Sequence, residues 1–146
     1  MMRNATDDFN NNNTLALLNP PGLYDPAPNG YSHVARVAAG ARLVFIAGQG
    51  GETESGALSP DFRLQVRQAL RNLQTAPAAA EARVTDIAKL TVLIVDHSEE
   101  RLRIFGEELS AALGDGPNPA CTLVPVPRLA RDGMLFEIEA TAVLPA

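Results

Sequence analysis

Apolar residues recur along this chain with two different periods, and the switches between them mark its elements. Phe62, Val66, Ala69, Leu70 and Leu73 stand at i, i+4, i+7, i+8 and i+11, one stripe of an α-helix. Ser59-Pro60-Asp61 precedes them and reads as an N-cap, a proline at the first helical position and an acidic first turn. Pro77 should end or kink that helix, and the alanine-rich stretch beyond it suits a further turn. A second stripe, Leu102, Phe105, Leu109, Ala112 and Leu113, follows Ser98 as N-cap and stops at Gly114.

The strand-like runs lie around and between these helices. His33 to Val37 and Leu43 to Ala47 flank AAGAR, where Gly40 marks a turn, so this region predicts a hairpin. Leu15 to Leu18 suits a short strand, and the segment after it carries Pro20, Pro21, Gly22, Pro26, Pro28 and Gly30, the chemistry of a surface loop. Further strands are predicted over Ala88 to Val95, Ala120 to Val126 and Met134 to about Val143. The order is β-β-α-β-α-β-β, an α+β arrangement in which both helices should cover one face of the sheet. Yet AKLTVLIV (88–95) is apolar on both faces, as a strand covered on both sides would be. No element is left to cover the second face, which predicts a homo-oligomer.

At 146 residues one domain is expected. Residues 1–14 are polar and asparagine-rich and read as a mobile arm, leaving 15–146 as the domain. The 12 Lys+Arg against 17 Asp+Glu give a net charge of -5, which disfavours nucleic acid or an anionic membrane as partner. The single cysteine cannot form an internal disulfide, and no run approaches the ~20 apolar residues that span a bilayer. A cytoplasmic protein is expected. His33 and His97 lie far apart, and no metal-ligand spacing is visible.

The candidate chemistry is sparse. On the last strand Glu137 and Glu139 share a face with Leu135, Thr141 and Val143, opposite Met134, Phe136, Ile138, Ala140 and Ala142. Such a carboxylate is either a hydrogen-bonded structural partner or a general base whose pKa is raised by burial. Cys121 follows Pro119-Ala120, with no histidine nearby in sequence, and reads as a packed apolar residue before it reads as a nucleophile. Lys89, the only lysine, reads as solvent-facing. Arg63, Arg67 and Arg71 recur every fourth residue and could meet phosphates, but a solvated helix face is the plainer reading. Gly48-Gln49-Gly50-Gly51 lacks the Lys-Ser/Thr of a phosphate loop.

Taken in order, GYSHVARV, LVFIAGQ, DFRLQVRQALRNL, DIAKLTVLIVD and NPACTLVPV…FEIEA resemble the Rid/YjgF family over Asn19 to Val143. The resemblance implies a chorismate-mutase-like α+β fold and a homotrimer, with its sheets facing a central barrel and its clefts between subunits. It implies hydrolysis of enamines and imines derived from amino acids, such as 2-aminoacrylate, with no metal and no organic cofactor. Some relatives are called endoribonucleases or translation inhibitors. By position, Glu137 corresponds to the family glutamate that holds the attacking water, while Tyr31, Gln49 and Pro119 match cleft positions. Three positions depart from the pattern. Cys121 stands where deaminating members carry a carboxylate-clamping arginine, Ala47 where a serine is usual, and Ile104 where an asparagine is common. The expectation is therefore a Rid-like hydrolase whose substrate lacks the usual carboxylate. A non-catalytic metabolite-binding module is the alternative, and a ribonuclease or translation inhibitor ranks third. Arg128 or Arg131 could restore a charge if either reaches the cleft.

Overall fold

A computed structural model describes residues 14–146. Its strands and helices in chain order are β1 (Leu15–Leu18), β2 (Val34–Val37), β3 (Arg42–Gly50), α1 (Phe62–Thr75), β4 (Ile87–Val95), α2 (Glu99–Leu113), β5 (Ala120–Val126) and β6 (Phe136–Leu144). The main sheet has the order β3-β6-β4-β5, and only the β4–β5 pair, joined by the α2 crossover, is parallel. The fold is thus a mixed α+β sheet carrying two helices. Most of residues 1–14, read as an arm, lie outside the described residues. Thr14, assigned to that arm, is buried, and its carbonyl accepts from Ala38 N–H at 2.9 Å.

The predicted pairing of His33–Val37 with Leu43–Ala47 does not form. Gly40 does turn the chain at φ 79°, but β2 pairs antiparallel with β1 and β3 pairs with β6. Proximity in sequence favoured the hairpin; the long apolar β6 offers β3 a nine-residue partner where β2 offers four. The β1–β2 pair packs instead on the helix-free face of the main sheet, where Leu15 closes over Ala88 and Val143. One corner of the second face is therefore covered from within the chain, contrary to expectation. The rest is bare: Leu43 is 54% exposed, Phe45 77% and Val124 40%.

The helix-covered face holds the core. Phe62, Val66, Ala69, Leu70 and Leu73 of α1 are all buried and meet Leu90, Val92 and Ile94 of β4 and Phe136, Ile138 and Ala140 of β6. The cap of α1 is Asp61, whose carboxylate accepts from Leu64 N–H at 2.9 Å, rather than Ser59. Ser59 supports it from outside by accepting from Asp61 N–H. After Thr75 the chain tightens into a 3₁₀ turn, Ala76–Ala80, as the proline there demands. Ser98 and Gly114 bound α2 as expected. Leu102, counted in its apolar stripe, is 48% exposed.

Two polar ties fasten the helices. Arg63 and Arg67 are not a free cationic face: Arg63 donates to Glu107 at 2.7 Å and to Glu108 at 3.0 Å, and Arg67 grips both oxygens of Glu108 at 2.9 and 3.1 Å. The Arg67 guanidinium, aided by Arg63, holds the Glu108 carboxyl below its ordinary range. Gln65, fully buried, donates to Ser59 C=O at 2.7 Å and Gly133 C=O at 2.8 Å while accepting from Leu135 N–H at 2.8 Å. Its amide satisfies three backbone groups, two at the entry to β6 and one just before α1.

Two outcomes follow. Gln65→Leu leaves those groups buried and unpaired and should cost about 3 kcal/mol, read as a lower urea midpoint at unchanged m. Glu108 stabilises the fold while ionised, so its contribution is present above its unfolded pKa and lost as pH falls through its lower folded pKa. Glu108→Gln should therefore lower Tm at pH 7, and the deficit should close on acidification through the carboxylate range.

Candidate functional site

Side chains alternate across a strand, and this alternation distributes the candidate residues. In β6, Phe136, Ile138, Ala140 and Ala142 point to the helices and are buried. Glu137 pairs with Leu93 of β4 and lies on the opposite, helix-free face, where it is half-buried. A β-bulge in β3 between Ile46 and Gln49 adds one residue against β6, so that Gly48 stands beside Glu137. A Cβ at Gly48 would fall 1.8 Å from Glu137 Oε1, so the carboxylate fills the space a side chain would take. Gln49 folds back to donate to Ala47 C=O at 3.0 Å.

Glu137 sits among like charges. Burial pushes its carboxyl up, and Glu52 and Glu139 add to the rise. Arg131 pairs with Glu52 of this group at 3.8 Å. Arg128 is engaged with Asp132 at 3.0 Å. A carboxylate of raised pKa beside a backbone bulge can hold and deprotonate a water.

Cys121 faces the other way. It pairs with Leu90, whose side chain is in the helix-covered core, and packs there with Leu123. Burial raises its thiol to about 11, with Lys89 opposing the shift, so it is uncharged at neutral pH and a poor nucleophile. Lys89 donates to Thr122 at 2.7 Å. The loop before β2 is laced to the start of β5: Ser32 N–H donates to Pro119 C=O at 3.2 Å and Ser32 Oγ to Asn118 C=O at 2.6 Å. This holds Tyr31 beside Cys121.

Tyr31 and Cys121 line one groove of about 900 Å³ between α2, β5 and the loop, whose apolar wall includes Leu102, Phe105, Leu109 and Leu123. A second hollow of about 710 Å³ adjoins it and shares Tyr24 and Tyr31. The two phenols are hydrogen-bonded to each other, and His33 meets both rings edge-on, at 5.0 Å from Tyr24 and 5.6 Å from Tyr31. His33 Nε2 lies 2.8 Å from Tyr24 C=O, which fixes that nitrogen as the donor. Tyr24 and His33 were not singled out from sequence; their signal was aromatic residues flanking a proline-rich loop.

The sequence candidates thus form two groups. Tyr31 and Cys121 line the groove, while Pro119 is buried behind it and only fastens the Tyr31 loop through its carbonyl; Ala47, Gly48, Gln49 and Glu137 belong to the bulged edge of the opposite face. Ile104 joins neither, because it packs partly buried against the core. Among the described residues no three His, Cys, Asp or Glu side chains gather as metal ligands would, and no helix is long and apolar enough to cross a membrane.

Comparison with known proteins sets this geometry in a family. The family model described as endoribonuclease L-PSP matches residues 24–144. The chain is 38% identical over 106 residues to the RutC family protein YjgH of Escherichia coli, covering 70% of this chain and 76% of that one. It is 30% identical over 130 residues to a 2-iminobutanoate/2-iminopropanoate deaminase of Salmonella typhimurium, covering 89% and 96%. Among solved structures, a Rid family protein of unknown function, YyfB from Yersinia pestis, superposes with a TM-score of 0.83 at 33% identity, covering 90% of this chain and 99% of that one.

Two substitutions test the Glu137 edge. Glu137→Gln removes a carboxylate whose folded pKa is raised, a group that favours the fold when protonated and disfavours it once pH climbs through that pKa. The variant should therefore match the parent in Tm below pH 4 and exceed it at pH 7. Gly48→Ala should displace the flexible carboxylate rather than unfold the sheet, shifting Tm little while altering the pH titration of Glu137 followed by NMR.

Proposed function

The chain belongs to the Rid/YjgF family, and from that premise we propose that it is a deaminase-type hydrolase of small enamines and imines that do not carry the usual carboxylate. The observation that carries this is Glu137, a carboxylate of raised pKa held open beside the Gly48 bulge. Glu137 takes a proton from water as the oxygen adds to the C=N carbon. The proton passes to nitrogen, the C–N bond breaks, and a carbonyl and ammonia leave. A carboxylate with a raised pKa is the stronger base near neutrality. At the other group, Cys121 offers one weak donor where a guanidinium would offer a bidentate fork, so a substrate carboxylate finds no clamp.

Glu137 and the Tyr31–Cys121 groove lie on opposite faces of one sheet, so a single chain does not assemble a whole site. We place the complete site between subunits of a cytoplasmic homotrimer, where the bare faces around Leu43, Phe45 and Val124 pack into a central barrel and Glu137 of one copy faces the groove of the next. The 77% exposure of Phe45 supports that packing. The apolar groove wall around Cys121 favours, as a second reading, a non-catalytic module that holds a small metabolite. The ribonuclease reading loses its cationic stripe, since Arg63 and Arg67 are gripped by Glu107 and Glu108.

Light scattering at micromolar concentration should give three times 15.5 kDa; a monodisperse monomer would refute the shared cleft. Ammonia release from 2-aminoacrylate should be slow, should rise about tenfold or more in Cys121→Arg, and should vanish in Glu137→Gln. Turnover indifferent to Glu137→Gln would leave only the binding module.

A further inference from the structure

The charged residues around the groove carry the substrate class further. Its rim bears Glu99, Arg103, Glu107 and Asp115. Glu107 is already neutralised between Arg63 at 2.7 Å and Arg103 at 2.6 Å, which also occupies Arg103. Among the described residues, Asp115 accepts only from the uncharged Ser110 hydroxyl, and Glu99, exposed in the first turn of α2, has no ion-pair partner. Counted over the groove lining, Arg103 stands against Glu99, Glu107 and Asp115, so the rim is net negative. Behind them stand the apolar wall of Leu102, Phe105 and Leu109 and the rings of Tyr24 and Tyr31, whose faces attract cations. The Glu137 edge has the same sign, with Glu52 and Glu139 beside it and Arg131 drawn toward Glu52.

We propose that the groove between α2 and β5 selects organic cations, an ammonium or iminium nitrogen bearing an apolar substituent, and rejects carboxylates. The nitrogen would sit at the tyrosines and the Glu99–Asp115 rim, with its substituent along the apolar wall. This rests on the reading above that the groove holds the substrate. It also fits that chemistry: the protonated imine is the species water attacks, and R₂C=NH₂⁺ plus H₂O gives R₂C=O plus NH₄⁺ with no other reactant. A net negative rim disfavours anions by repulsion rather than by shape.

The test uses two probes with matched branched tails, 3-methylbutylammonium and 4-methylpentanoate, with binding to the full chain followed by ligand-observed NMR. The ammonium should bind about tenfold tighter at low salt, and the margin should shrink at high salt. Glu99→Lys with Asp115→Lys, both exposed positions, should cancel or invert it. Binding of the carboxylate as tight as the ammonium, no binding of either, or a preference untouched by the double reversal would overturn the proposal. Turnover is read separately, on the imine released from 3-methylbutylamine by an amine oxidase and the 2-imino acid released from leucine by an amino-acid oxidase. Faster ammonia release from the amine-derived imine supports the proposal, and faster release from the imino acid overturns it. Ammonium selectivity with neither imine accelerated would uphold the cation class and refute catalysis, so the two readings fail on different observations.

Discussion

The two-residue alternation of side chains along β6 and β5 governs where chemistry can occur in this chain. One side of the main sheet must face α1 and α2, and it takes Phe136, Ile138, Leu90 and Val92. Whatever stands between those residues is turned outward. Glu137 lies between Phe136 and Ile138 and is therefore committed to the helix-free face, while Cys121, paired with Leu90, is committed to the helices. A shift of one residue in β6 would exchange its faces and bury a carboxylate in the apolar core, so the register is held by the whole core and not by the site. The β3 bulge is where the pattern yields, and it yields beside Glu137.

The polar ties then fix what packing alone leaves free. Apolar contact between two helices tolerates sliding; an arginine fork on a nearly buried carboxylate does not. Glu108 receives Arg63 and Arg67 together, setting α1 and α2 at one axial position and with it the depth of the groove that α2 lines. Gln65 does the same between α1 and the entry to β6. The Gln65 tie lies away from the groove and the arginine tie reaches it only through Glu107, yet each sets the position of an element that lines the candidate site.

Much of this was legible in sequence because it rests on local periodicity. The α1 stripe, the α2 cap and stop, and the apolar two-sidedness of β4 all follow from residues within a dozen positions of one another. What escaped is set by distant partners. The hairpin across Gly40 was locally sound, but β3 bonds to a strand nearly 100 residues away, from Arg42 with Leu144 to Gly50 with Glu137. Ser59 and Asp61 are both competent caps two residues apart, and only the helix start decides between them. Arg63 and Arg67 looked solvated because Glu107 and Glu108 are more than 40 positions on. The family motifs named candidate residues, but not that Cys121 and Glu137 stand on opposite faces, since that needs the strand register.

The sheet order has a consequence for synthesis. β6 lies between β3 and β4, and β3 has no other neighbour. β6 is also the last of these strands in chain order. Until Phe136–Leu144 emerges, β3 presents two bare edges and α1 has only part of its floor. The nascent chain cannot mature by successive layers; it must wait, open, for β6. A chain that lacks Phe136–Leu144 is not a smaller version of this domain but an unpaired strand for chaperones and proteases to find.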